Sequence, residues 1–217
     1  MSLKRICLAI ILLLSLLGCA GLTGLHDNLK VPAGEITGNQ FIGIRYPFRV
    51  SAPPDWKMTT DFPDFLKQFG YDKPGPFDKE VTELYIFNPS TQSSVQIDFT
   101  PANRGVQFSQ ESIEHTISMA TESFKGEMEK EYGSGMSVEY APTTPYTLKG
   151  VPYAAKEYAT YTVMGVKREQ GWIYAYANPN QIFIFYMIVE KEGSVEGAKD
   201  REDLKKILDS FEVFSQK

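Results

Sequence analysis

Residues 169–189 read EQGWIYAYANPNQIFIFYMIV, and they carry the clearest fold signal in the sequence. Two strand-like runs, 169–177 and 181–189, are joined by Asn178-Pro179-Asn180, a tripeptide typical of a turn. All eight residues from Ile182 to Val189 are apolar, and so short a run cannot span a membrane as a helix. The second run is therefore predicted to be a central strand that is covered on both faces.

Similar strand patterns lie on either side of this hairpin. Amphipathic helices are predicted after Ser109, to about Tyr132, and from near Asp200. The pattern predicts an α+β fold: a mostly antiparallel central sheet of about seven strands, flanked by two main helices and one short helix. The remaining predicted strands are 41–46, 48–50, 81–87, 95–99, 137–140, 144–148 and 153–166.

The first residues have the layout of an export signal. Lys4 and Arg5 precede the apolar run 6–17, and Leu16-Leu17-Gly18-Cys19 follows the pattern of a bacterial lipobox. The thiol of a lipobox cysteine is the atom that carries the lipid. We therefore expect residues 1–18 to be a lipoprotein signal peptide and Cys19 to be lipidated. The alternative is an ordinary signal peptide that is cut elsewhere, with Cys19 incidental.

The stretch that follows Cys19 predicts a flexible tether. Residues 20–39 are rich in glycine and lack periodicity, so 19–40 are assigned to the lipidated cysteine and tether, and 41–217 to a single domain. Ala20 stands where an aspartate would favour the inner membrane. The expected location is the cell envelope, at the outer membrane facing the periplasm if the host is Gram-negative.

Charge and cysteine content exclude several classes of function. The signal segment holds two bases and no acid, so the net charge changes from −5 for the full chain to −7 after cleavage. Such a chain repels nucleic acid and anionic lipid, and the membrane is expected to be reached through the lipid on Cys19. Cys7 leaves with the signal, so no disulfide is expected.

Several short phrases resemble the PsbP-like family, which includes an extrinsic photosystem protein and a Ran-binding nuclear protein. They are Tyr46-Pro47-Phe48-Arg49-Val50 with Pro54 and Trp56, Gly150-Val151-Pro152-Tyr153-Ala154, and Ile207-Leu208-Asp209-Ser210-Phe211. The resemblance covers roughly residues 41–214. It implies a central antiparallel sheet between helices, and it supplies no catalytic motif.

A search for catalytic constellations finds little material. The chain has no phosphate loop, nucleophile elbow or zinc-protease motif, and His26 and His115 are its only histidines. We expect no cofactor and no metal site. Paired carboxylates remain open because the chain has 27 acidic residues, so a carboxylate-based hydrolase is kept as a further alternative.

Two aromatic groups are the candidate binding residues. Phe62, Phe65 and Phe69 share one face of a short helix predicted over 61–70, which either closes the core or forms a lid over an apolar pocket. The strand residues Trp172, Tyr174 and Tyr176 either lie under a helix or form a partner surface.

Together these observations predict a membrane-tethered, non-catalytic envelope lipoprotein that acts as a binding or assembly module, with an envelope protein as a partner. The alternative is a carrier or sensor of a small apolar ligand.

Overall fold

The computed structural model describes residues 30–67, 82–102, 105–133, 136–191 and 195–214. The described residues from Ala33 onward form one compact unit. Within the described residues, no helix is both long and apolar enough to cross a membrane.

Twelve strands and three helices make up the described part of the chain. The helices are α1 (Asp64–Lys67), α2 (Gln110–Tyr132) and α3 (Glu196–Ser210). The strands are β1 (Gly34–Thr37), β2 (Gln40–Gly43), β3 (Phe48–Ser51), β4 (Lys57–Thr59), β5 (Thr82–Phe87), β6 (Ser94–Pro101), β7 (Val138–Tyr140), β8 (Thr144–Pro145), β9 (Tyr153–Val163), β10 (Val166–Ala177), β11 (Asn180–Lys191) and β12 (Glu212–Val213).

The large sheet confirms the α+β class and the antiparallel arrangement. Its order is β4-β5-β6-β11-β10-β9-β7, with β8 also paired to β9. Strand β11 lies between β6 and β10, as its apolar run predicts. The hairpin of β10 and β11 is in register from Val166 opposite Lys191 to Ala177 opposite Asn180. This long ladder holds the middle of the sheet together.

A second sheet was not foreseen from the sequence. It has four strands in the order β1-β2-β3-β12, and it joins the start of the domain to its end. Strand β1 lies inside the stretch assigned to the tether. Its pairing is local, with Gly34 opposite Gly43 across a turn at Gly38, and these glycines hide the alternation that marks a strand.

The two faces of the large sheet pack against different partners. Ile182, Ile184 and Ile188 of β11 are at most 1% exposed, and they join a cluster that includes side chains of α3 and the small sheet. We call this side the core face. The opposite side, which we call the α2 face, is where α2 packs on β9 and β10. Helix α2 therefore covers the part of this face that β9 and β10 form.

Helix boundaries follow local chemistry. Ser109 caps α2 as predicted, because its Oγ accepts from the backbone N–H of Ser112 at 3.2 Å. Helix α3 begins at Glu196, earlier than the predicted start near Asp200. Its N-cap residue, Val195, makes no side-chain cap bond, so no capping residue in the sequence marks the start.

Candidate functional site

A trough of about 300 Å³ opens on the α2 face of the large sheet. One wall consists of α1, which contributes Phe65 and Leu66, and of Phe62 just before it. These side chains are half-buried. The wall is fixed to the sheet by rings: Phe62 meets Tyr85 edge-on at 5.9 Å between centroids, and Phe65 meets Phe87 at 5.0 Å. Such aromatic pairs add to the stabilisation that burial alone gives.

The floor of the trough alternates between apolar and polar columns. Gln96 of β6 lies opposite Tyr85 of β5 on one side and opposite Phe185 of β11 on the other. Ser94 likewise lies opposite Met187. Because neighbouring strands are about 4.8 Å apart, a polar column one strand wide runs between columns of large apolar side chains.

A buried hydrogen-bond network holds the polar column in place. Asp98 accepts from the Thr82 hydroxyl at 2.8 Å and from Gln96 Nε2 at 3.0 and 3.1 Å. The same Nε2 lies 3.1 Å from Thr82 Oγ1. Asp98 and Thr82 are 7% and 8% exposed. The amide nitrogen of Gln96 is thus bonded within the protein, whereas its carbonyl oxygen accepts no hydrogen bond from the described residues.

A bulge in β5 brings a second acid close to this network. Thr82 pairs with Asp98 and Leu84 with Ile97, so Glu83 is an extra residue between them. The Glu83 side chain is fully buried and pairs with Arg45, whose Nη1 lies 2.9 Å from Oε1. Burial raises the pKa of Glu83 to about 7, Arg45 opposes this rise, and Asp98 adds to it.

This buried acid predicts a pH-dependent stability. The folded carboxyl group keeps its proton up to a pKa of about 7, against an ordinary value of 4.5. The free energy of unfolding should therefore fall as pH rises from about 4.5 to about 7, by about 3 kcal/mol in total. Urea unfolding across this range should show the slope, and Glu83→Gln should flatten it.

The control for that experiment is Glu139→Gln, because Glu139 is an exposed glutamate of β7. It should leave the slope unchanged. An equal slope in wild type and Glu83→Gln would show that other groups cause the dependence.

The structure places the predicted phenylalanines at the trough. The helix expected over 61–70 is described only as the single turn α1, with Phe62 and Phe65 in the wall. Phe69 lies outside the described residues, as does Cys19. The two described phenylalanines form a half-buried wall, and their assignment to core or lid stays a prediction.

The predicted strand aromatics lie mostly beneath α2. Trp172 is 8% exposed and packs edge-on to Phe124 of α2 at 5.0 Å between centroids. Tyr174 is 3% exposed, donates to Gln181 at 2.7 Å, and has a pKa raised by burial to about 12. Tyr176 is half-buried and stacks on Phe108 at 4.0 Å. The arrangement is that of a sheet face under a helix.

The polar floor residues were not identified from the sequence as candidates for the site. Val95, Ile97 and Phe99 alternate with Ser94, Gln96 and Asp98, and the apolar set marks the buried face. The same alternation shows that the polar residues share the opposite face of the strand, and this signal could have identified them. Gln170 of β10, which lies opposite Met187, completes the lining.

Metal binding has no support in the part of the chain that the structure describes. No three His, Cys, Asp or Glu side chains come together there as a metal site requires. His115 is exposed on α2, as its position opposite the apolar stripe predicts.

Comparison with known proteins returned two structural likenesses of note. The solution structure of cyanobacterial PsbP (CyanoP) from Synechocystis sp. PCC 6803 matches with a TM-score of 0.47 and 10% identity, over 84% of this chain and 99% of that one. A crystal structure from Bacteroides thetaiotaomicron matches with a TM-score of 0.46 and 11% identity, over 83% of this chain. The match spans 50% of that second protein. No family model and no curated protein matches the chain.

Proposed function

We propose that this protein is a non-catalytic binding module, held at the membrane of the cell envelope by lipid on Cys19, which carries or senses a small ligand in the trough. The observation that carries the proposal is the trough itself. At about 300 Å³ it has the volume of a small-molecule site. It also combines apolar walls with a few fixed polar groups, as such sites do.

The arrangement of acids argues against a hydrolase. Hydrolysis by carboxylates needs two of them, one to act as acid and one as base or nucleophile. Among the described residues that line the trough, Asp98 is the single carboxyl group, because the nearby Glu83 is not part of this lining and pairs with Arg45. Its oxygens accept from Thr82 and Gln96, which suits a structural part in the floor.

The membrane tether makes its own prediction. Protein extracted from host membranes should have the mass of residues 19–217 plus a diacylglyceryl group, because the lipobox cysteine becomes the modified N-terminus. Cys19→Ser should lack this mass and leave the membrane fraction. An unmodified wild-type mass in the soluble fraction would contradict the tether and leave the trough unaffected.

The ligand proposal is tested with protein purified from its own host. Native mass spectrometry should show a small molecule bound to the folded protein that is lost on denaturation. Phe65→Ala should weaken the affinity for the ligand about tenfold or more and so lower the bound fraction, because a phenyl ring that contacts a ligand contributes about 1.5 kcal/mol or more. Phe62→Ala should act in the same direction.

The matched control is Tyr132→Ala, which removes a ring that is 44% exposed at the end of α2. Tyr132 does not line the trough, so this variant should retain the ligand. Equal loss in Tyr132→Ala and Phe65→Ala would point to general destabilisation, and a ligand-free wild type would refute the proposal.

A further inference from the structure

Three polar side chains line the trough and have donors or acceptors that bond to none of the described residues. Among the described residues, none donates to the carbonyl oxygen of Gln96. Ser94 and Gln170 also line the trough, and neither side chain has a hydrogen bond to the described part of the protein. Their places are fixed by register, with Ser94 and Gln170 on opposite sides of Met187.

Apart from Asp98, the remaining described lining is mainly apolar and partly aromatic. Phe62 and Phe65 form one wall, while Tyr85 and Phe185 flank Gln96 on the floor. A flat ring can lie against such surfaces by offset stacking or edge contact. An aliphatic chain cannot make these ring–ring contacts, so it would lack the stabilisation that they add to burial.

Charge narrows the class of ligand further. The described lining contains the carboxyl group of Asp98 and no lysine, arginine or histidine. Anionic headgroups are bound in proteins by arginine, lysine or helix N-termini, so fatty acids and phosphate esters have no such partner among the described lining residues. The volume of about 300 Å³ also lies at the small end of the range for ligand sites.

We infer that the ligand is a compound of one or two aromatic rings that has no anionic group and carries a hydroxyl or N–H donor, an inference that rests on the proposed function. The rings pack between the phenylalanine wall and the floor. The donor bonds to the carbonyl oxygen of Gln96, which the bonds from its amide nitrogen to Asp98 hold in orientation.

The test is methyl NMR of methionine-labelled protein titrated with four probes: naphthol, methoxynaphthalene, naphthoate and decanol. Naphthol should shift the methyl signal of Met187 in the trough, which Met187→Leu identifies by its loss. Met164 is 96% exposed at the turn between β9 and β10 and should not move, which makes it an internal control.

Methoxynaphthalene lacks the donor, so it should bind roughly three- to tenfold more weakly than naphthol. Naphthoate and decanol should bind more weakly still. In Gln96→Met, naphthol and methoxynaphthalene should bind alike. The comparison in wild type stands by itself if this variant is poorly folded.

The inference would be overturned if naphthoate, decanol or methoxynaphthalene bound to the wild-type protein as tightly as naphthol does. The absence of a Met187 shift with naphthol would overturn it as well. In that case a ligand still retained by host-purified protein would leave the proposed function intact, whereas host-purified protein without ligand would remove both.

Discussion

Gly171→Ala is expected to destabilise the domain by about 3 kcal/mol, although alanine replaces glycine without loss at most strand positions. Gly171 of β10 lies directly opposite Tyr186 of β11, whose ring covers it on the core face. A methyl group at Gly171 would overlap that ring. The ring has little room to retreat, because Tyr186 is 1% exposed and its hydroxyl donates to Glu169 at 3.1 Å.

Urea unfolding gives the measurement, with Gly126→Ala as the matched control. Gly126 lies within α2, and a methyl group there would meet no atom within 4 Å. This control should gain roughly 0.5–1 kcal/mol, because alanine is the better helix former. A stable Gly171→Ala protein would show that the middle of the sheet is packed differently from the structure described above.

Trp172→Ala is expected to cost about 3–5 kcal/mol of unfolding free energy. The indole is buried between the sheet and Phe124 of α2, and truncation leaves a cavity beneath the helix. The comparison is Tyr176→Ala in the same strand, whose ring is half-buried and should cost less. Chemical denaturation of both variants tests the difference.

The opposite result would restore the alternative interpretation of these aromatics. If Trp172→Ala unfolded like wild type yet lost an envelope partner in pull-down from intact envelopes, Trp172 would belong to a partner surface. If Trp172→Ala instead lost stability without a specific loss of an envelope partner, Trp172 would belong to the interior.

The large sheet could be predicted because its signals are local. The alternation in Val95, Ile97 and Phe99 and the apolar run of β11 follow from burial of one or both strand faces. The small sheet could not be predicted, because it pairs Phe48 with Val213 across most of the chain. Strand β12 has only two residues, which is too short for a local sequence pattern that could predict this pairing.

The sequence could predict the phenylalanine wall of the trough but not its polar floor. Phe62 and Phe65 share a helical face, and that periodicity singled them out. The polar floor depends on register: Thr82 reaches Asp98 only because the bulge at Glu83 shifts β5 against β6. Sequence alternation shows which residues share a face, but it does not show which neighbours meet across strands.

The most direct measurement compares the Met187 methyl signal of host-purified protein before and after a cycle of unfolding and refolding that removes any bound molecule. The trough proposal predicts that this signal shifts while that of the exposed Met164 stays in place. Superimposable spectra, together with equal masses before and after the cycle, would contradict the proposal that the trough holds a ligand.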